Sequence, residues 1–305
     1  MRTYVVRRLL QALLVCWGIS LITFLILWLK GDPTLLLLPI EATEQERQDL
    51  RRAMGFDDPL VVQYWRFLKR AVRGDFGRSF FVDQPALELI LERMPATVQL
   101  TVAGLGISLL LAIPLGALSA IKRGSLLDTF VTVFALTGQA MPIFWLGIML
   151  IIVFAVHLQL FPVSGYGTVR HLVLPALTLG WFLAPVTMRL TRSGMLDVLQ
   201  QDYIRTARAK GLPERAVIFK HALKNAGISI ITIVGLQFGQ LMGGAVVTET
   251  VFAWPGVASL AVTSIRNSDF PVVQAAVVCL ALIIVVANLI SDVLIGFLDP
   301  RIRYD

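Results

Sequence analysis

Apolar positions along this chain fall into long unbroken runs rather than alternating with polar ones. A bilayer core about 30 Å thick takes roughly 20 apolar residues as a helix. Runs of that order cover residues 9–29, 97–121, 129–156, 172–188, 226–248 and 271–291. The fourth is the shortest and contains Pro175 and Pro185, which leaves its ends open. The pattern predicts an all-α, polytopic membrane protein with about six transmembrane helices.

Between the first two runs, residues 30–96 change character. Thr43-x-x-Glu46 reads as a capping box opening a helix through Met54, with Gly55 as its stop. Asp58-Pro59 reads as an N-cap followed by proline at the first helical position. Leu60, Val61, Tyr64, Trp65, Leu68 and Val72 then recur at helical spacing. Gly74-Asp75-Phe76-Gly77 ends that helix, and Asp83 or Gln84 with Pro85 begins a third one leading into the second span. This small helical cap is either a structural lid or a contact for an external partner. The division is thus 1–29 for the first span, 30–96 for the cap, 97–299 for the membrane core and 300–305 for a tail.

A second polar interruption, residues 202–225 (DYIRTARAKGLPERAVIFKHALKN), lies between the fourth and fifth runs and makes up most of a loop spanning 193–224. Asp202 is expected to cap a helix over 203–210, Gly211 to end it in the left-handed conformation, and Pro213 to restart one. Thr206, Ala207 and Ala209 let another protein approach the backbone closely. Arg205 and Arg208, three apart, are placed to meet acidic groups, and Lys210 favours the helix dipole from the last turn. A basic helix of this kind also lies on anionic lipid when it has a broad apolar stripe. Tyr203 and Ile204 are the only large apolar residues before Gly211, with Leu212 just after it, so protein docking is the better fit.

Within the fifth run, Gly235, Gly239 and Gly243 are spaced four apart, a pattern that lets membrane helices pack closely. Gln237 and Gln240 lie on an adjoining face, where they either line a water-filled path or bond a neighbouring helix. Glu249 and Asp292 fall near span ends, a position that favours structural roles over ion coupling.

Composition agrees with the lipid assignment. Hydrophobic residues make up 56% of the chain and charged ones 15%, against about 25% charged in soluble domains. The mean hydropathy is +0.76. Arg2, Arg7 and Arg8 precede a run too long for a usual signal peptide, so an uncleaved first span is expected. With the N-terminus inside, Lys122, Arg123, Arg189, Arg192, Arg205, Arg208, Lys210, Arg215, Lys220, Lys224, Arg301 and Arg303 are also inside. The short outer loops hold only Arg170 and Arg266. Both termini are therefore expected in the cytoplasm.

The net charge of +7 follows from this topology rather than from any soluble nucleic-acid-binding domain. Cys16 and Cys279 both fall inside spans, and His157, His171 and His221 are isolated, so no metal site is expected. No GxxxxGK[ST] motif and no nucleophile–base constellation occurs, which predicts a non-catalytic chain.

The 202–212 segment resembles the cytoplasmic coupling loop of ABC-importer permease subunits. In many of those subunits the loop begins Glu-Ala-Ala, with glycine six residues after the Glu. Those places are Arg205, Thr206, Ala207 and Gly211 here. The usual Glu is replaced by Arg205 and a later proline near Lys224 is absent, departures typical of the dipeptide/oligopeptide permease branch. Further motifs match along nearly the whole chain: Arg7-Arg8-Leu9-Leu10, Gly31-Asp32-Pro33, Met54-Gly55-Phe56-Asp57-Asp58-Pro59-Leu60, Gly74-Asp75-Phe76-Gly77-Arg78-Ser79, Phe252-Ala253-Trp254-Pro255-Gly256, Asp269-Phe270-Pro271-Val272 and Asp299-Pro300-Arg301-Ile302-Arg303.

The resemblance implies a type I importer permease fold in a bacterial inner membrane. It also implies a second homologous permease subunit, two cytoplasmic ATPases carrying ATP and Mg, and an external substrate-binding protein. Asp202, Tyr203, Arg205, Thr206, Ala207, Arg208, Ala209, Lys210, Gly211 and Leu212 would form the coupling loop. Gly235, Gln237, Gly239, Gln240, Gly243 and Glu249 are candidates for the path or the partner-facing helix, and Trp254, Pro255 and Gly256 for a loop near the delivered cargo. Dipeptides or short peptides are the expected cargo; glutathione or a metal chelate, or an ion-coupled carrier working alone, are the alternatives.

Overall fold

The computed structural model describes residues 2–31, 34–38 and 42–298. For residues 2–7, 9, 35, 36, 228, 229, 243, 244 and 292–298 it describes the backbone alone. Asp32-Pro33, the motif at Asp299–Arg303 and the tail 300–305 lie outside the described residues, as do the side chains of Arg2, Arg7 and Asp292. Among the described residues there is no strand, only an isolated bridge between Arg78 and Pro85. Among the described residues, four helices are long and apolar enough to cross a membrane, or up to six if each of two bent pairs counts as one span.

The chain forms two compact units. One comprises Met1–Thr97 with Pro255–Ile283, the other Val98–Trp254 with Ile284–Asp305. In the first unit, the expected capping box forms. The Thr43 hydroxyl accepts from Glu46 N–H, and the Glu46 carboxylate accepts from Thr43 N–H at 2.8 Å. Gly55 closes that helix (Glu44–Met54) at φ 72°, its N–H donating to Arg52 O and that of Phe56 to Arg51 O.

The next helix, Leu60–Ala71, begins one residue later than the sequence suggests. Pro59 is extended (φ −55°, ψ 143°) and occupies the cap, while the Asp58 carboxylate pairs with Arg66 at 2.5 Å. Phe67 of this helix stacks on Phe24 of the first membrane helix, Tyr64 meets Phe24 edge-on, and the Tyr64 hydroxyl meets Ser20 at 2.9 Å. The third cap helix is not separate. Ala86–Ile121 runs unbroken for 36 residues and passes through Pro95 and Pro114. The unit's core is Phe76, Leu89, Ile90, Val257, Val272 and small alanines around them.

The second unit is organised around Val169–Leu199. The fourth run is therefore not a short span, since this helix continues for 31 residues through Pro175 and Pro185. Packing against neighbouring helices offsets the lost proline hydrogen bonds. Leu126–Ala140, Ile143–Leu150 and Leu223–Gly244 all pack on it. Its contact with Ala86–Ile121 depends on glycines outside any GxxxG pattern. A Cβ on Gly116 would lie 2.6 Å from Met188 O, and one on Gly104 would lie 2.8 Å from Leu179 Cβ.

The third run is a broken span. Leu126–Ala140 and Ile143–His157 meet at 102°, because Pro142 cannot continue the helix and Met141 before it is held extended at ψ 127°. The fifth is also bent, by 52°, between Glu214–Gly227 and Ile230–Met242.

Candidate functional site

The polar interruption at 202–212 forms an elbow whose two faces differ sharply. The helix is Asp202–Ala209; Asp202 is its first residue rather than its cap, and Gln201 holds the cap position without a side-chain capping bond. Asp202 instead stands in the first turn, where a carboxylate complements the helix dipole. Lys210 follows as the C-cap. Gly211 then takes φ +76°, its N–H donating to Arg208 O and that of Leu212 to Ala207 O. This pairing is the Schellman closure that Gly211 was expected to provide.

Ile204 and Ala207, three residues apart, point inward and are 0% and 7% exposed. They sit on Ala117, Ala120, Met195, Val217, Ala222 and Ala226. Ala207 therefore does not present its backbone to another protein: its small side chain seats the elbow on its own unit. The outward face carries Tyr203, Arg205, Thr206, Arg208, Ala209, Lys210, Gly211 and Leu212, all exposed, with Asp202 beside them. Phe219, just beyond, is 65% exposed.

The two arginines find carboxylates within the chain. Arg205 meets Asp202 at 3.3 Å, and Arg208 meets Glu214 at 2.7 Å across the turn. The Glu214 hydrogen bond holds the Arg208 guanidinium above its ordinary pKa. Both pairs are exposed, so each contributes under about 1 kcal/mol.

The glycine stripe is used within the chain. A Cβ on Gly235 would lie 1.8 Å from Ser291 Oγ, and one on Gly239 would lie 3.1 Å from Asn288 Oδ1. Close packing on the last helix thus explains the spacing of Gly235 and Gly239 without a second subunit. For Gly243 only the backbone is described. Gln237 is buried; its carbonyl accepts from the Thr187 hydroxyl at 3.2 Å, and its amide donates to Leu183 O at 3.3 Å. It bonds a neighbouring helix, whereas Gln240 is exposed.

Glu249 is fully buried, and its backbone carbonyl accepts from Trp254 N–H at 2.8 Å. Trp254 is itself buried, with its ring edge-on to Tyr166 at 4.9 Å. It is therefore a packing residue, closed to cargo in this conformation. Ala253 takes φ +47°, the reversal that lets Phe252 and Trp254 on either side both point inward. Pro255 is half-buried and Gly256 buried. Among the described residues no three His, Cys, Asp or Glu side chains come together to hold a metal.

The sequence reading missed Asp128. It accepts two hydrogen bonds from Arg192, which the sequence marks only as a cytoplasmic charge. The two residues stand 64 positions apart, so no local spacing signals the pair.

The described residues are helical and carry an exposed cationic elbow, and the comparisons give the family. Residues 112–304 match the family described as "Binding-protein-dependent transport system inner membrane component", and residues 1–101 match its N-terminal counterpart. The chain belongs to this family and is a multi-pass permease subunit of an ABC importer, a class that works with ATPase and substrate-binding partners.

It is 41% identical to the oligopeptide transport system permease protein AppB of Bacillus subtilis (strain 168) over 316 residues. It is 40% identical over 305 residues to the glutathione transport system permease protein GsiC of Escherichia coli (strain K12). Each alignment covers 100% of both chains. Among solved structures, the inward-facing MetNI methionine ABC transporter matches with a TM-score of 0.56 at 16% identity, covering 69% of this chain and 96% of that one. That likeness establishes the fold.

Proposed function

We propose that this chain is one of two homologous permease subunits of an importer for short peptides, driven through the elbow at 202–212. The carrying observation is the elbow's construction. Ile204 and Ala207 anchor it to the membrane unit, while Tyr203, Arg205, Arg208, Ala209 and Leu212 are left bare. A helix with one face anchored and the other presented is suited to receive force from an ATPase. ATP and Mg reside on that ATPase. The elbow and both termini face the cytoplasm, which agrees with the cationic residues flanking it.

The cargo reading rests on chemistry that the relatives' names share. AppB is named for oligopeptides, and glutathione is itself a tripeptide. A short backbone with free carboxylate groups satisfies both names. The path is lined from the exposed side of the fifth run, where Leu236 and Gln240 stand, rather than from its glycine stripe.

The test is reconstitution of the chain with its second permease, ATPases and binding protein in liposomes. ATP-dependent uptake of a labelled tripeptide is expected, and Gly211→Pro should abolish it while the chain stays in the membrane. Unchanged uptake with Gly211→Pro removes the coupling role from the elbow.

A further inference from the structure

The Asp128 carboxylate is 7% exposed and collects donors from three other parts of the second unit. Arg192 Nε donates to Oδ1 at 2.8 Å and Arg192 Nη2 to Oδ2 at 2.9 Å. The Ser119 hydroxyl donates to Oδ1 at 2.5 Å, and Gly124 N–H donates to Oδ2 at 3.0 Å. Ser119 Oγ also accepts from Arg192 Nε at 3.0 Å. One side chain thus joins the end of Ala86–Ile121, the turn after it, the start of Leu126–Ala140 and the body of Val169–Leu199.

The place of this cluster matters as much as its bonds. Ala117 and Ala120, which bear the elbow, flank Ser119 on the same helix. Met195, also under the elbow and 0% exposed, is one helical turn beyond Arg192. Gly116 lets the two helices touch at Met188 O and Thr191 beside the cluster.

Burying charge is costly, and an apolar pair of similar volume is often as stable or more so. What the forked guanidinium–carboxylate pairing adds is a fixed mutual angle. We propose that Asp128 and Arg192 are positioning residues whose clamp makes three helices and the elbow seat move as one piece, so that force applied at the elbow reaches the helices behind it. Without the clamp, the seat yields locally and hydrolysis proceeds with little transport. This inference rests on the elbow reading above.

The experiment measures ATP hydrolysed per tripeptide imported by the complete reconstituted complex, together with its thermal midpoint. The double variant Asp128→Leu with Arg192→Met is expected to assemble with a wild-type midpoint and to raise that ratio by about 3- to 30-fold. An unchanged ratio in the assembled double variant overturns the clamp. If that variant fails to assemble, Ser119→Ala and Arg192→Lys each remove a donor while keeping the charges, and each should raise the ratio by about twofold. A wild-type ratio in both overturns the clamp equally. Gly211→Pro, run in parallel, separates the two readings. Retained uptake there contradicts the elbow and the clamp together, whereas lost uptake beside normal clamp variants contradicts the clamp alone.

Discussion

The Ser79 hydroxyl donates to the Asp269 carboxylate at 2.5 Å, joining residues 190 positions apart in the first unit. The other Asp269 oxygen accepts from Phe80 N–H at 3.2 Å, and Ser79 Oγ accepts from Phe81 and Val82 N–H. The two sequence motifs around Gly74–Ser79 and Asp269–Val272 are thus the halves of one clasp. Ser79→Ala leaves a carboxylate that is 4% exposed short of a donor, and should destabilise the assembled protein by about 1–3 kcal/mol. A thermal midpoint within error of wild type would show that the clasp adds nothing.

Gly235 packs against Ser291 within the chain. Gly235→Ala should therefore cost about 1–3 kcal/mol in the stability of this subunit itself, through overpacking. Adding Ser291→Gly should recover part of that loss, since residues in contact couple. Thermal unfolding of the isolated subunit in detergent checks both. A normal midpoint accompanied by loss of the second permease would instead place the stripe at the subunit interface.

At Gly211 nothing beyond its chain neighbours lies within 4 Å of an added Cβ, so alanine or asparagine there acts through φ. Gly211→Ala should cost about 1–2 kcal/mol of elbow stability, and Gly211→Asn less, because asparagine tolerates the left-handed region. Amide exchange across 202–212 should follow the order glycine, asparagine, alanine in falling protection. Equal protection in all three would mean that the turn relaxes.

Arg208 and Glu214 are each about half exposed, at 45% and 54%. Glu214→Gln should change stability by less than about 1 kcal/mol. Its effect should appear in assembly, because it frees Arg208 for an acidic ATPase surface and so strengthens copurification at low salt. Unchanged copurification across salt concentrations would mean that shape alone holds the joint.

Much of this architecture was legible because it is local. Six apolar runs count out as four clear helices plus two bent pairs, and the Thr43–Glu46 box needs only neighbouring residues. Gly211 closes its helix through bonds spanning five positions at most. The break at Met141-Pro142 had a signal in Pro142, but the apolar count alone passes over it, since 102° of bend leaves that count intact. Asp128 and Arg192 escaped because pairing across 64 positions has no spacing rule. Ala207 was assigned outward for its small size, although Ile204 three residues earlier on the same face already marked the buried side.

The most direct measurement places a photo-crosslinking residue at Ala209, which is exposed, and at Ile204, which is 0% exposed, in the assembled importer. The account predicts a covalent adduct of this chain with the ATPase from position 209, strengthened by ATP, and none from position 204. Adducts from position 209 to phospholipid alone would contradict it.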